Sequence, residues 1–343
     1  MNSISVISVF LFSVVATAVC IAVCLRFASG LATALPNERS SHSIPTPQIG
    51  GVCIFAVLLP LFMGAHFIWP GDRLLDFAVL SACALLCITG VFDDRFGLSP
   101  RLRMGVYGLV SFGFFFLCPD LVFPLTGFFP VDFFISGFFL LSFMNITNFM
   151  DGIDGIVVVE FVPMLVLLAG GAALGLWISP LPLVPAALCG ALLGFILFNR
   201  PRARTFLGDG GSVPIGFLIG LALLQFASSA GIVAAVILPL YFVADAAITL
   251  FLRVKRREHF WQAHRQHFYQ RAIDSGQNIW SILARVGITN LVLCVLAILS
   301  TKSDHGAAVP SMCAALITVA WLLKTLLGPT TQHAGSSRTD FTQ

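Results

Sequence analysis

The fold class this sequence predicts is an all-α polytopic membrane protein, a bundle of about eleven transmembrane helices with its chemistry on one face. Three observations predict it. The 343 residues are 58% hydrophobic and only 10% charged, against about 25% charged in a soluble domain. Apolar runs of membrane length recur from one end of the chain to the other. The aspartates Asp93, Asp94, Asp151, Asp154 and Asp209 fall at or near the ends of those runs, in loops that share one side.

The runs are read against the roughly 20 apolar residues a span needs. The first, 4–25, lacks a basic n-region and exceeds a signal h-region, so an uncleaved first helix is expected. The second, 50–69, starts at a glycine pair; the third, 75–92, ends at DDR. The fourth, 104–120, follows LSPRLR, and the fifth, 128–147, runs into NITNFMDGIDG. The sixth and seventh, 156–178 and 182–198, lead to FNRPRAR. The eighth, 213–228, follows GDGGS. The ninth, 230–252, carries Asp245 and ends at RVKRR, and 280–300 and 308–327 complete the set. Residues 1–328 are thus expected to form one transmembrane domain, and 329–343 a disordered tail.

An odd number of spans puts the termini on opposite sides. One set of loops carries nearly all the Lys and Arg, and the opposite set only Arg73 and Lys302. The positive-inside rule makes the basic loops cytoplasmic, with the N-terminus outside and the C-terminus inside. The net charge of +3 leaves no nucleic-acid footprint. The nine cysteines form no CxxC pair and lie almost wholly in apolar runs, which suits small apolar filler.

Five cytoplasmic loops carry the chemistry: NERSSHSIPTPQIGG (37–51), DDRFGLSPRLR (93–103), NITNFMDGIDG (145–155), FNRPRARTFLGDGGS (198–212) and RVKRREHFWQAHRQHFYQR (253–271). Ionisable groups at membrane depth are functional candidates, although positive-inside topology accounts for each arginine singly. Adjacent Asp93 and Asp94 point about 100° apart on a helix, so one can orient while the other acts as a base. Asn148 and Asp151, spaced i, i+3, are expected on a shared helical face. Gly152 and Gly155 are expected to break that helix and release Asp154. The glycines around Asp209 suggest freed N–H groups and a phosphate cradle leading to a helix start at Ser212. Oxygen ligands of this kind suit a hard cation such as Mg²⁺. His264 and His267, again i, i+3, are expected to share a face toward an anionic substrate. Asp245 either pairs with an arginine or lines the cavity.

Taken in order, the five loops resemble the polyprenyl-phosphate N-acetylhexosamine-1-phosphate transferases of glycosyltransferase family 4. That group includes the enterobacterial enzyme that makes undecaprenyl-pyrophosphoryl-GlcNAc and the phospho-MurNAc-pentapeptide translocase. The resemblance covers roughly residues 35–300. It implies a multi-pass protein of the bacterial inner membrane that moves a sugar 1-phosphate from a UDP-N-acetylhexosamine to undecaprenyl phosphate, with UMP released. Position by position, it implies Asp93 and Asp94 near the carrier phosphate, Asn148 and Asp209 on Mg²⁺ (or Mn²⁺), and Asp151 and Asp154 near nucleotide and metal. His264 and His267 correspond most nearly to the family's histidine loop. Arg39, His42, Arg101, Arg103, Arg204 and Arg265 are candidate substrate contacts. AHRQHFYQR here replaces the family's denser histidine runs and resembles most the branch that starts O-antigen chains with GlcNAc, FucNAc or QuiNAc phosphate.

Two other readings stand beside it: a phospho-MurNAc-pentapeptide transferase, and, from a different class, a secondary transporter. A transporter is expected to keep its acids near the bilayer midplane, in broken helices with repeat symmetry. The oligomeric state is open, a homodimer included.

Overall fold

The computed structural model describes residues 3–27, 33–34, 46–68, 72–258, 265–301 and 306–327. Arg39, His42, His264 and the 329–343 tail lie outside the described residues. Eleven apolar units are expected, and the structure contains each of them in register. They are α1 (Ser3–Phe27), α2 (Gly50–Ile68), α3 (Arg73–Phe96), α4 (Pro100–Leu117), α5 (Phe129–Met150), α6 (Ile156–Ala173), α7 (Leu183–Asn199), α8 (Asp209–Ala230), the pair α9 (Ile232–Ile237) and α10 (Leu240–Lys255), then α12 (Ile279–Thr301) and α13 (Ala308–Leu327). A short helix, α11 (Phe268–Asp274), lies in the loop after α10. Eight of these helices are long and apolar enough to cross a bilayer alone, and α7 is a shorter apolar helix. A two-residue antiparallel pairing, Thr33–Ala34 with Thr46–Pro47, precedes α2.

Where the helices start and stop follows local chemistry. Asp72 caps α3 by accepting from Leu74 N at 2.9 Å and Leu75 N at 3.3 Å. Ser99 caps α4 at Leu102 N (3.3 Å), with Pro100 in the first turn. The ninth unit is broken at Leu238–Pro239, which periodicity alone does not forecast. Proline lacks an N–H, and α10 therefore restarts inside the bundle with orphan donors. Glu160 of α6, 1% exposed, accepts from the Phe242 N–H of that new start and from Asn290 Nδ2 of α12 at 2.7 Å. Backbone groups in a membrane interior need such partners.

Helix α8 is the hub. It is buried along nearly its whole length and packs on α2, α3, α5, α7 and α9. Without a hydrophobic driving force between spans, helices meet best through small residues. The Gly51 backbone of α2 lies directly on Gly211 of α8, so a Cβ on either would collide with main chain of the other. Gly216 and Gly220 face α5 in the same way, against Met144 and Leu140. Where α1 meets α2, the sulfur atoms of Cys20, Cys24 and Cys53 gather within 4.8 Å of one another, a grouping that spacing along the chain does not show.

Gly51→Ala is therefore expected to cost about 1–3 kcal/mol, the usual range for overpacking. It will lower the thermal midpoint of the detergent-solubilised protein. Gly64→Ala, with open space around it, will not.

Candidate active site

All five motif loops have described residues, and these converge on one end of the bundle, around the start of α8. The first turn of any helix leaves four N–H groups without intrahelical partners. In α8 two of them, Gly211 N and Ser212 N, bond to Gly208 O at 3.0 and 2.9 Å. The other two bond across the bundle to Asp94 of α3: Asp209 N to Oδ1 at 3.1 Å and Gly210 N to Oδ2 at 3.2 Å. A carboxylate at a helix N-terminus is stabilised by both the hydrogen bonds and the dipole. Gly208 makes room for it: φ is +71°, and a Cβ there would stand 2.6 Å from Asp94 Oδ2.

This corrects two expectations. The helix begins at Asp209 rather than Ser212, and the first-turn N–H groups read as a phosphate cradle are already taken by Asp94 and Gly208 O. Asp94 is thus the anchor of α8. Its neighbour Asp93 faces another way, as the 100° rotation requires. Asp93 Oδ1 accepts from Leu98 N at 2.7 Å and Oδ2 from Arg103 Nη1 at 2.8 Å. The same Arg103 nitrogen lies 3.6 Å from Asp209 Oδ2.

Asn148, in the last turn of α5, donates through Nδ2 to Asp209 Oδ1 (2.7 Å) and Ser212 Oγ (3.0 Å). Asn148 and Asp209 thus meet across the bundle. Asp151 is not on a shared helical face with Asn148: it is the first residue past α5, on non-helical backbone (φ −83°, ψ 54°). Among the described residues its carboxylate has no hydrogen-bond or ion-pair partner. Burial, and then the nearby charges of Asp209, Asp94 and Asp154, push its pKa well above the ordinary carboxylate value.

The helix does break over the two glycines, and Asp154 turns away from Asp151. Its Oδ2 accepts from Ala203 N at 3.0 Å. Asn199 completes that junction, accepting from Gly155 N (2.8 Å) and donating to Thr205 O (3.0 Å). The 205–207 segment runs beside 47–51: Phe206 N bonds to Pro47 O, Gly50 N to Phe206 O and Gly51 N to Leu207 O, each at 2.9 Å. Asn199 and Thr205 are thus site-building residues that residue typing passed over, because a single buried amide has no sequence signature.

Arg101 is exposed on the first turn of α4, and Arg204 is exposed with its guanidinium over the Phe198 ring, 5.4 Å from the centroid. Arg265 pairs with Asp274 at 2.9 Å. His267 is the N-cap of α11 on extended backbone (φ −61°, ψ 150°), so helical i, i+3 spacing does not govern it. Its Nδ1 lies 3.0 Å from Asp245 Oδ1 of α10.

Helices α4, α5 and α10 line an open groove of about 630 Å³. Phe112, Phe134, Phe138, Phe139, Ile146 and Val243 line it, with Ser142 the one polar residue. Ile146 is two residues before Asn148 in α5, about 200° around the helix from it, and no carboxylate lines the groove.

Residues 77–227, which hold α3 to α8 and every aspartate of this cluster, match the family model described as glycosyl transferase family 4. Over that stretch the chain is similar to glycosyl transferase family 4. The chain is 26% identical over 319 residues to the undecaprenyl-phosphate alpha-N-acetylglucosaminyl 1-phosphate transferase of Escherichia coli O157:H7, covering 85% of this chain and 81% of that one. It is 28% identical over 311 residues to the protein of the same name from Yersinia pestis (84% and 81% covered). Over 219 residues it is 30% identical to the decaprenyl-phosphate N-acetylglucosaminephosphotransferase of Mycolicibacterium smegmatis (56% and 52% covered).

Asp94→Ala is expected to lower the thermal midpoint of the purified protein, by a loss of about 2–3 kcal/mol for charge-assisted bonds to buried donors. Asp209→Asn keeps an acceptor for Asn148 and will leave the midpoint close to wild type.

Proposed function

We propose that this chain transfers an N-acetylhexosamine 1-phosphate from a UDP-sugar to undecaprenyl phosphate, with release of UMP. The observation that carries the reading is the meeting of Asp93, Asp94, Asn148, Asp151 and Asp209 at one end of an apolar helix bundle, within the stretch that matches the glycosyl transferase family 4 model. A polyprenyl tail fits the groove on α4, α5 and α10, which is apolar but for Ser142. The basic loops favour a cytoplasmic position for this end of the bundle, with the N-terminus outside and the C-terminus inside. The names of the relatives favour GlcNAc as the sugar; FucNAc and QuiNAc are the other members of the same donor class. The step would open O-antigen or a related surface polysaccharide.

The donor set fits a divalent hard cation. Four carboxylates crowd together here, and Arg103 is the cation that pairs with them among the described residues. Among the described residues no three of them bring oxygens within 4.8 Å of one another, so the protein alone makes no closed cage. Mg²⁺ suits that arrangement, since it takes one or two protein oxygens and completes its shell with phosphate and water. Asp209 and Asn148 (through its amide oxygen, with the amide rotated) would hold it, with Mn²⁺ as a substitute. When bound, it supplies charge neutralisation on the diphosphate.

In the reaction an oxygen of the acceptor phosphate forms a bond to the sugar-bearing phosphorus. The bond from that phosphorus to the UMP oxygen breaks, and UMP leaves with the electron pair. A phosphomonoester is largely dianionic near neutral pH, so orientation contributes more than proton removal. Arg103, already between Asp93 and Asp209, turns positive charge toward the phosphates. Asp151, with its open carboxylate at the end of α5, is placed to hold a proton or a cation. Asp154 and Asn199 act behind them by fixing the 151–155 turn against the 200–206 loop.

The broken α9–α10 unit with buried Glu160 is the feature that favours a transporter. Glu160 is engaged with Phe242 N–H and Asn290, which suits a structural cap.

EDTA is expected to stop UMP release, and Mg²⁺ or Mn²⁺ to restore it; metal-independent release would contradict the cation assignment. Asp209→Asn is expected to abolish transfer in a protein that still purifies as folded, and full turnover would contradict it. Ser142→Trp, which fills the groove, is expected to raise KM for undecaprenyl phosphate at least tenfold, with KM for the UDP-sugar changed less than twofold in initial-rate assays.

A further inference from the structure

The cysteines, expected as apolar filler, gather at one place. Cys20 and Cys24 stand i, i+4 on α1, so their sulfurs share one face of that helix. Cys53, near the start of α2, is buried at 2% exposure. The three sulfur atoms lie within 4.8 Å of one another, and none is in a disulfide. Cys83 and Cys87 repeat the i, i+4 spacing on α3, yet gather no third metal-binding side chain among the described residues. Packing of α1 on α2, rather than spacing, makes the triangle.

The triangle has the dimensions of an ion site. With metal–sulfur bonds of about 2.3 Å, three sulfurs around one ion stand roughly 4 Å apart. Small side-chain rotations close the difference. The donor set is sulfur alone: among the described residues no histidine or carboxylate joins the group. Thiolates select soft cations, and Cu(I) is the softest of the common ones. Structural zinc takes four ligands, whereas three sulfurs without a fourth complete a trigonal Cu(I) shell. Cys20 and Cys24 are only partly buried. Cys24 lies three residues from the end of α1, about 5 Å along the axis, so an ion has a short way in. Arg26, in the last turn of α1, puts positive charge at the same end, where thiolates would carry negative charge.

We propose that Cys20, Cys24 and Cys53 form a binding site for one soft, thiophilic cation, Cu(I). The site is separate from the oxygen cluster around Asp209 and stands without the reading under Proposed function. Each thiol that coordinates the ion gives up its proton to solvent. The bound ion ties α1 to α2, two residues from the point where Gly51 seats α2 on Gly211.

The test uses the full-length, reduced protein in detergent, loaded with Cu(I) and dialysed against the Cu(I) chelator bathocuproine disulfonate. One Cu(I) per chain is expected to remain. The thermal midpoint is expected to rise above that of the metal-free protein, since an ion bound by the native state alone stabilises it. Loss of a merely supporting residue costs a metal site about 10–100-fold in affinity. Cys20→Ser, Cys24→Ser and Cys53→Ser each remove a ligand, and each is expected to weaken Cu(I) binding by about 100-fold or more. Cys313→Ser, at an exposed position of α13, is expected to bind as wild type does. Unchanged retention in a folded variant with all three serines, or an equal loss in Cys313→Ser, would overturn the proposal.

A second measurement needs no variant. X-ray absorption at the copper edge of the loaded wild type is expected to show three sulfur neighbours. Nitrogen or oxygen neighbours in their place, no Cu(I) retained by wild type, or Zn(II) held in preference to Cu(I) would overturn the proposal. None of these readouts depends on turnover, so failure of the transfer reading leaves them decisive.

Discussion

The contact on which the rest depends is the carboxylate of Asp94 against the first two backbone N–H groups of α8. Its two oxygens, at 3.1 and 3.2 Å, close the only first-turn donors that Gly208 O does not reach. A helix start buried without partners would cost several unsatisfied donors. One side chain from α3 removes that cost and fixes the depth and rotation of α8. Because α8 carries Asp209 as its first residue, the same contact sets where Asp209 points. Everything else at this end refers to it: Asn148 reaches Asp209 from α5, Arg103 approaches from α4, and Gly51 seats α2 on Gly211.

This arrangement leaves negative charge in surplus on purpose-built supports. Asp94 is consumed by the helix start, Asp93 by Leu98 N and Arg103, and Asp154 by Ala203 N. Asp209 and Asp151 remain as carboxylates with oxygen to offer, and burial with like-charged neighbours keeps Asp151 inclined to hold its proton. The proposed divalent cation and phosphorylated substrate would together relieve that imbalance. The apolar groove along α5 would suit the proposed lipid tail.

The spans were legible because twenty apolar residues in a row have few other destinies. The ordered loops were legible as a set, and the geometry unites Asn148 with Asp209, sixty-one residues apart. Other features were hidden for physical reasons. GDGGS reads as an open cradle from sequence, since nothing local says that an aspartate 115 residues away occupies it. Asp151 follows Asn148 at helical spacing, yet the helix ends one residue short of it. The break at Leu238–Pro239 lies within an uninterrupted apolar run, and Glu160, which caps the new helix start, is 82 residues earlier in the chain. Asp245 and His267 belong to the same class: partners chosen by packing rather than by spacing.

The central claim is that this chain moves a sugar with its phosphate, at a cytoplasmic-face carboxylate site, onto a lipid phosphate. It is tested most directly by following the β-phosphate of the donor. With UDP-GlcNAc labelled with ³²P at the β position, purified protein, Mg²⁺ and undecaprenyl phosphate, the label is predicted to pass into the organic phase while unlabelled UMP appears in the aqueous phase. Label remaining in water, whether as UDP after transfer of the sugar alone or as unconsumed UDP-GlcNAc, would contradict the account.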